Sequence, residues 1–398
     1  MTSRDTFRNA LLGAGFALAA GPALAQSSVT LYGVADDAIT YVSNQKGHSN
    51  WYLRQGNLYA SKFGFKGVED LGGGTSAIFD LQAGFDLNTG AASSSGLLFN
   101  RQAFVGLQNN NYGTFTMGRQ YTPYYQFVGP LASSNWLTGA TGAHPGDYDG
   151  LDTTIRVNNS FVYTSPVWYG VQASAMYALG GVAGSTGKGQ TISGALRYAN
   201  GPIALAAGYL RMDNAYVNPV STTSPAFDSS STASFAVSAV NQGYVTAHSV
   251  QHIAAAGDYT IGNLMVGVNY SNVRYLPGSR SLFTDTAAFN SYGAIASYRF
   301  TPAFDMAAAF SYTMASKANG ISSAARYQQY SLKEAYHLSK RTTLYAVQAY
   351  QHATGQTLGA KGAGSIVDAA PVVGDSQNST PSSTRSQFVG MAGIAVAF

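Results

Sequence analysis

The stretch that decides the fold is residues 75–88, which reads Thr-Ser-Ala-Ile-Phe-Asp-Leu-Gln-Ala-Gly-Phe-Asp-Leu-Asn. One of its faces carries Ala77, Phe79, Leu81, Ala83, Phe85 and Leu87, and the other carries Ser76, Asp80, Gln82, Asp86 and Asn88. Such alternation is the period of a β-strand whose two faces lie in different environments. Residues 169–177, 192–198 and 388–398 repeat the pattern, so we predict a chain built from many strands of this kind.

The connections between these strands alternate between two lengths. Seven short ones contain Gly, Pro, Asn or Asp, the residues that form tight turns: 69–74, 109–113, 165–168, 199–202, 260–263, 300–304 and 337–341. Eight longer, polar stretches separate them: 43–57, 88–98, 121–155, 179–189, 214–249, 274–288, 315–324 and 354–385. Seven turns and eight loops join sixteen strands.

An even number of strands, with short turns on one side and long loops on the other, is typical of a transmembrane antiparallel β-barrel. Both ends of the chain are then expected on the short-turn side. The first strand (residues 29–42) and the last (residues 386–398) must pair, because the lipid bilayer tolerates no open sheet edge.

The composition agrees with strands that face lipid. Only 10% of the residues are charged, whereas Tyr (27) and Phe (20) are abundant; a soluble domain carries about 25% charged residues. A secreted soluble β-sandwich is the alternative, and this scarcity of surface charge argues against it. The formal charge of +4 is too small to indicate a nucleic-acid partner, and the chain has no cysteine.

The first residues have the features of a targeting segment. Arg4 and Arg8 precede an apolar stretch (residues 10–21), and Ala23-Leu24-Ala25 matches a cleavage signal. We therefore expect residues 1–25 to be a cleaved signal peptide and residues 26–398 to form a single barrel domain.

Four segments and the terminal Phe398 resemble a known family. The segments are Ser-Val-Thr-Leu-Tyr-Gly at 28–33, Ser-Lys-Phe-Gly-Phe-Lys-Gly-Val-Glu-Asp-Leu-Gly-Gly-Gly at 61–74, Asn-Arg-Gln-Ala-Phe-Val-Gly-Leu at 100–107 and Arg-Val-Asn-Asn-Ser at 156–160. In order and spacing they resemble the Gram-negative general outer-membrane porins, beta-proteobacterial branch.

The resemblance implies an all-β barrel of sixteen strands in the outer membrane, with short periplasmic turns, long extracellular loops and the third long loop folded into the lumen. It also implies a homotrimer that acts as a passive channel for small hydrophilic solutes and ions, without a cofactor or metal. The length of residues 121–155 independently suggests a functional loop.

In this family, basic residues on the barrel wall face acidic residues on the third loop across a narrow waist. The resemblance assigns the basic wall of this constriction to Lys62, Arg101 and Arg156, and the acidic loop to Asp147, Asp149 and Asp152.

Some members of the family carry one more basic residue in the first strand, at the position of Val34 here. Asp36 and Asp37 lie just beyond it, which leaves the preference for anions or cations open.

Two other functions are weighed against a general channel. A substrate-specific channel could use the aromatic residues Tyr121, Tyr124, Tyr125 and Phe127, although these could equally pack the loop against the wall. An outer-membrane enzyme is disfavoured, because none of the six histidines lies in a recognisable catalytic motif.

Overall fold

A computed structural model of the chain describes residues 28–152, 155–215, 238–375 and 380–398. The predicted signal peptide lies outside these residues. Most of the described chain forms one large antiparallel sheet. The strands are β1 (Ser28–Gln45), β2 (His48–Gln55), β3 (Lys62–Gly72), β4 (Thr75–Gly84), β5 (Gln102–Asn109), β6 (Gly113–Tyr121), β7 (Arg156–Thr164), β8 (Val171–Ala178), β9 (Thr191–Asn200), β10 (Ile203–Asp213), β11 (Ser249–Ile261), β12 (Leu264–Leu276), β13 (Ala287–Thr301), β14 (Phe304–Ala315), β15 (Arg326–His337), β16 (Thr342–Thr354), β17 (Gln356–Gly359), β18 (Gly362–Asp368) and β19 (Ser386–Ala397).

The sheet closes into a barrel with sixteen strand positions. Strands β2 and β3 share one position, because β2 pairs with the second half of β1 and β3 with its first half. β19 pairs with β16 on one side and with β1 on the other, so no edge is left open. The predicted strand number and the predicted pairing of the first and last strands are both confirmed.

Along each strand, apolar side chains that face outward alternate with polar side chains that face the lumen, as a bilayer requires. Along β15 the ring of Tyr330 is 52% exposed on the outer face, whereas Gln329 and Ser331 on the inner face are buried. In β4 the polar face is likewise inside the barrel, where Asp80 accepts a hydrogen bond from the Tyr32 hydroxyl (2.6 Å). Apolar groups outside and polar groups inside are the arrangement of a lipid-facing barrel. None of the helices in the described part is long and apolar enough to span a membrane.

All seven short turns lie where the sequence predicts them, but two other boundaries were predicted wrongly. The first loop was predicted at 43–57, yet β1 continues to Gln45 and turns into β2 through Lys46 and Gly47. Both residues have positive φ (52° and 107°), as a two-residue hairpin requires. The irregular segment is instead residues 56–61.

The second difference is at the end of β4. The alternation in the sequence continues to Asn88, but the strand ends at Gly84. Asp86 stops it, because its carboxylate accepts a hydrogen bond from the Asn88 amide (2.8 Å) and its carbonyl accepts one from the Gly90 amide (2.8 Å). A short polar side chain that bonds to the backbone in this way favours a turn over a strand.

Candidate functional site in the barrel lumen

The third long loop lies inside the barrel, as the sequence predicted. Its described residues contain two short α-helices, α1 (Pro123–Val128) and α2 (Ser133–Leu137), joined by a 3-10 turn at Gly129–Leu131. Thr122 caps α1 by accepting a hydrogen bond from the Tyr125 amide, and Pro123 occupies the first helical position, where its missing N–H costs nothing. Helix α1 rests on β9 and β10. A Cβ atom on Gly208 of β10 would lie only 3.1 Å from the Cα atom of Tyr124, so a glycine there admits the helix.

Apolar side chains fill the lumen between this loop and one part of the wall. We call this region the packed side. Its buried members from the loop include Tyr124, Phe127, Val128, Tyr148 and Leu151, and those from β10 to β13 include Leu210, Met212, Val250, Val273 and Phe289. Tyr124 and Tyr148 are almost fully buried. The loop is therefore fixed by burial of apolar surface, as an element of a soluble core would be.

The open space lies on the opposite side of the loop. A cavity there is bounded on one side by residues 55–56 and 58–62, Ser93 and Arg101, and on the other by residues of the third loop and Asp375. We call this region the charged side. Lys62 and Arg101 reach it from the wall, and Asp152 reaches it from the third loop. Opposed charges thus line one water-accessible passage.

The wall cations are held in place by neutral partners. Arg101 donates through Nε to the Gln82 side-chain oxygen (3.1 Å) and through Nη2 to the Tyr121 hydroxyl (2.9 Å). The guanidinium of Arg156 lies 5.6 Å from the centre of the Tyr121 ring, a cation–π distance. Tyr121 therefore sits between two guanidinium groups. Arg156 is buried beside the cavity, whereas Lys62 and Arg101 line it.

Residues 56–61 bring Lys62 to this passage. The carboxylate of Asp36 accepts hydrogen bonds from the backbone amides of Leu58 (2.8 Å) and Tyr59 (2.7 Å), and from the Tyr345 hydroxyl (2.5 Å). Asp36 is fully buried by these contacts. It positions the segment that precedes Lys62 and does not face the passage. Val34 lies directly opposite Lys62 in the β1–β3 pairing and is buried too.

The three acidic residues named from the sequence occupy different places. Asp152 lines the cavity. Asp147 adopts a positive φ (46°) and its carboxylate accepts a hydrogen bond from the Asp152 amide (3.0 Å), so it shapes the turn that carries Asp152. Asp149 points away from the cavity and is completely buried.

Asp149 attaches the loop to the packed side. Its Oδ2 atom lies 2.6 Å from Nδ1 of His144 and accepts a hydrogen bond from the Ser271 hydroxyl of β12. Its backbone carbonyl lies 2.8 Å from Nδ1 of His252 and accepts a hydrogen bond from the Tyr124 hydroxyl (3.0 Å). Burial raises the pKa of Asp149, but His144 and Ser271 outweigh burial and hold the pKa below its usual value.

These residues do not form a nucleophilic triad. In such a triad, the serine hydroxyl bonds to the histidine and the histidine to the acid. Here both His144 and Ser271 contact the same Asp149 oxygen. The geometry is that of an anchor for the loop.

The sequence did not predict Asp375. It lies in the eighth long loop, where residues 369–375 also turn into the lumen. The Val372 amide donates to the Gln351 side-chain oxygen (2.6 Å), and the Gly146 amide donates to the Val372 carbonyl (3.3 Å). Gly374 is required there, because a Cβ atom would lie 2.3 Å from the Cα atom of Ala140. The available signal was the apolar run Ala-Ala-Pro-Val-Val-Gly at 369–374 within an otherwise polar loop.

Comparisons with known proteins agree with this architecture. A profile of the Gram-negative porins matches residues 10–356. The chain is 32% identical over 234 residues to an outer membrane porin protein of Bordetella pertussis, covering 52% of this chain and 59% of that one. It is 34% identical over 215 residues to outer membrane porin protein 32 of Delftia acidovorans, covering 50% of this chain and 58% of that one. These matches thus span a little over half the length of the curated relatives.

Two solved structures extend the likeness in fold to almost the whole chain. An anion-selective porin from Comamonas acidovorans superposes with a TM-score of 0.70 at 23% identity, covering 94% of this chain and 100% of that one. The in-vitro folded outer membrane protein OmpT of Vibrio cholerae, in its trimer form, superposes with a TM-score of 0.59 at 16% identity, covering 94% of this chain and 99% of that one. At these identities, the likeness supports the fold.

Proposed function

Since this chain belongs to the Gram-negative porin family and forms a closed β-barrel of the outer membrane, we propose that it is a passive diffusion channel for small hydrophilic solutes and ions. The observation that carries the proposal is the cavity, which has Lys62 and Arg101 on one side and Asp152 and Asp375 on the opposite side. A passage of this kind selects by width and by charge, and it makes or breaks no bonds.

We assign the charged constriction of the channel to these four side chains. Opposed charges across a narrow passage set up a transverse field that orients dipolar solutes and is focused by the low-dielectric walls. Arg156 lies behind Arg101 and adds positive charge to the wall side. Asp36 and Asp149 are buried in contacts of their own, so the three cations Lys62, Arg101 and Arg156 outnumber the two carboxylates at the passage, and we expect a mild anion preference.

We further propose that the functional unit is a homotrimer. The support comes from the family and from a structural neighbour that is described in a trimer form. Each barrel encloses its own cavity, so conduction is expected to proceed through three independent passages.

A substrate-specific channel is the alternative, and the positions of the aromatic residues of the third loop disfavour it. Tyr124 and Phe127 are buried on the packed side, where they hold the loop to the wall. Tyr121 is engaged by Arg101, and its ring packs 4.9 Å from that of Tyr125. Of these four aromatic residues only Tyr125 lines the cavity, and Tyr59 is the other aromatic residue among the described lining. Two rings are too few for a continuous aromatic track.

The test is single-channel recording of the refolded full-length protein in a planar bilayer, with reversal potentials in a salt gradient. We expect large ohmic steps that close in threes, with a mild anion preference. Small steps that are blocked by one solute at micromolar concentration would favour the specific channel. Absence of conductance from correctly folded protein would overturn the proposal.

A further inference from the structure

A buried acidic residue, Asp258 on β11, lies on the inner face of the wall, away from the charged side. Its side chain is nearly covered, since the residue is only 8% exposed. Along the same strand His252 and Ala256 are buried, whereas Ile253 and Tyr259 are exposed on the outer face. This alternation directs Asp258 into the barrel, three residues before the strand ends on the short-turn side.

The carboxylate of Asp258 has no compensating charge. Among the described residues, no side-chain nitrogen of Lys, Arg or His lies within 4.0 Å of it, and its Oδ1 atom has no hydrogen-bond partner. Other carboxylates of the inner face are compensated: Asp80 accepts a hydrogen bond from the Tyr32 hydroxyl, and Asp305 lies 3.2 Å from the Lys333 ammonium. Because a buried charge is costly unless it is paired, the position of Asp258 favours a positively charged ligand.

A second polar group without a partner lies beside it. The side-chain amide of Asn269 on β12 is in a residue that is 6% exposed, and neither its oxygen nor its nitrogen is hydrogen-bonded within the described part of the chain. Asp258 pairs with Gly267 in the β11–β12 register, and Asn269 is two residues further along the same face. Such diagonal positions are about 7–8 Å apart. A carboxylate and a neutral amide oxygen are thus neighbours on the inner face.

Two glycines make room for these side chains. A Cβ atom on Gly267 would lie 2.2 Å from Oδ1 of Asp258, and one on Gly293 of β13 would lie 2.5 Å from Oδ1 of Asn269. Each polar side chain therefore lies flat against the wall, over the neighbouring strand, where any residue larger than glycine would obstruct it. The wall itself thus sets the direction of both oxygen atoms.

We propose that Asp258 and Asn269 bind a small hard cation, for which Ca²⁺ is the probe. Ca²⁺ takes carboxylate and side-chain carbonyl oxygens at about 2.3–2.6 Å in a flexible geometry, with water in its remaining positions. Asp258 supplies the negative charge and Asn269 supplies a neutral oxygen. Their burial leaves too little surface for a larger solute, whereas the small exposed part of Asp258 is sufficient for an ion and water from the lumen.

This site is separate from the proposed constriction. Neither Asp258 nor Asn269 lines the cavity that contains Lys62, Arg101 and Asp152. The inference therefore goes beyond conduction, because it assigns a bound ion to the wall between β11 and β12.

The test is isothermal titration of CaCl₂ into the refolded full-length protein, after bound ions have been removed with a chelator. About 0.1 M KCl in the buffer screens weak binding to surface charges. We expect one saturable site per chain. Asp258→Asn should bind Ca²⁺ at least about tenfold more weakly, because the charged ligand is lost while the shape of the side chain is kept. Asn269→Leu, which retains the carboxylate, should weaken binding by a smaller factor.

The matched control is Asp80→Asn. It removes one charge from the inner face, at a carboxylate that accepts hydrogen bonds from Tyr32 and Gln102. We expect it to bind Ca²⁺ as tightly as the unaltered protein does. Heat-dependent migration in gels shows beforehand that each variant is a folded barrel.

Three results would overturn the inference. Absence of saturable binding to the unaltered protein would mean that Asp258 is protonated and holds no ion. Equal affinity in Asp258→Asn would place the ion elsewhere, and an equal loss in Asp80→Asn would show that only the total charge of the lumen matters. Single-channel conductance is recorded from the same samples. Open channels without a Ca²⁺ site would refute this inference and leave the channel proposal intact.

Discussion

On the packed side of the lumen nearly every side chain is buried in apolar contacts, whereas on the charged side Lys62, Arg101, Asp152 and Asp375 face a water-accessible cavity. The two regions are separated by a single loop. The packed side gives that loop one position, because many apolar contacts form together. The loop held in this way keeps Asp152 facing Lys62 and Arg101 across the cavity. Rigidity on one side thus fixes the positions of the charged groups on the other side, which the proposed channel requires.

The largest effect should come from loosening the packed side. Tyr124→Ala removes a fully buried ring together with the hydrogen bond to the Asp149 carbonyl. Truncation of a buried aromatic side chain costs about 3–5 kcal/mol, which here would weaken docking of the third loop. We expect strong current noise and proteolytic cleavage within residues 122–155 of the folded barrel.

The matched control is Tyr259→Ala, which makes the same chemical change at a ring that is 45% exposed on the outer wall. It should leave both readouts unchanged. Quiet channels in the Tyr124 variant would mean that the apolar contacts are not what holds the loop.

The next effect concerns the wall cations of the charged side. Lys62→Gln together with Arg101→Gln should turn the anion preference into a cation preference. A unit charge at about 4 Å in water is worth about 1 kcal/mol, or about a fivefold change in permeability ratio for each residue. Reversal potentials in a salt gradient measure this ratio directly.

The control Lys361→Gln/Arg280→Gln removes two exposed cations from the extracellular loops and should shift the ratio little. If both double variants shifted the reversal potential equally, the waist would not be at this cavity.

The two sides also differ in how far they could be predicted from the sequence. Strand number, the seven short turns and closure of the barrel follow from local alternation and turn residues. The alternation of β3 and the family resemblance both predicted Lys62 in the lumen, whereas the prediction for Arg101 rested on the resemblance. The direction in which Asp149 points depends on Ser271 and His252, more than one hundred residues away along the chain.

Nonlocal contacts also explain why the acidic residues of the cavity, Asp152 and Asp375, were predicted only in part. Asp375 reaches the cavity because residues 369–375 bond to Gln351 and to the third loop, and no local pattern encodes that path. Asp149 and Asp152 are three residues apart in one loop and have the same chemistry, yet they face opposite regions. The roles of all the waist residues in conduction stay predictions until they are measured.

A smaller change in ion preference, of opposite sign, is expected from the acidic residues of the cavity. Asp375→Asn and Asp152→Asn should each strengthen the anion preference, by about twofold, because both carboxylates have further electrostatic partners that offset part of their charge. Reversal potentials of the two single variants and of the double variant would show whether the acids act on one waist. Asp86→Asn, in the second long loop, is the control. A change for Asp152 alone would remove the eighth loop from the filter.

The smallest effect at ordinary pH concerns the anchor formed by Asp149. Its pKa lies below the usual value, so the stabilisation is complete above the unfolded-state pKa of about 3.9 and is lost only as the pH falls through the lowered folded-state pKa. The groups around it are His144 on the loop, His252 and Ser271 on the wall, and the hydroxyl of Tyr124. Channel noise should therefore stay constant from pH 7 to about pH 5, and increase only below about pH 4.

In Asp149→Asn the carboxylate charge is absent at every pH, so noise should be raised already at pH 7 and show no further acid step. An acid step that persisted in this variant would have to come from another carboxylate, and the anchor would then owe its strength to the apolar contacts of the packed side alone.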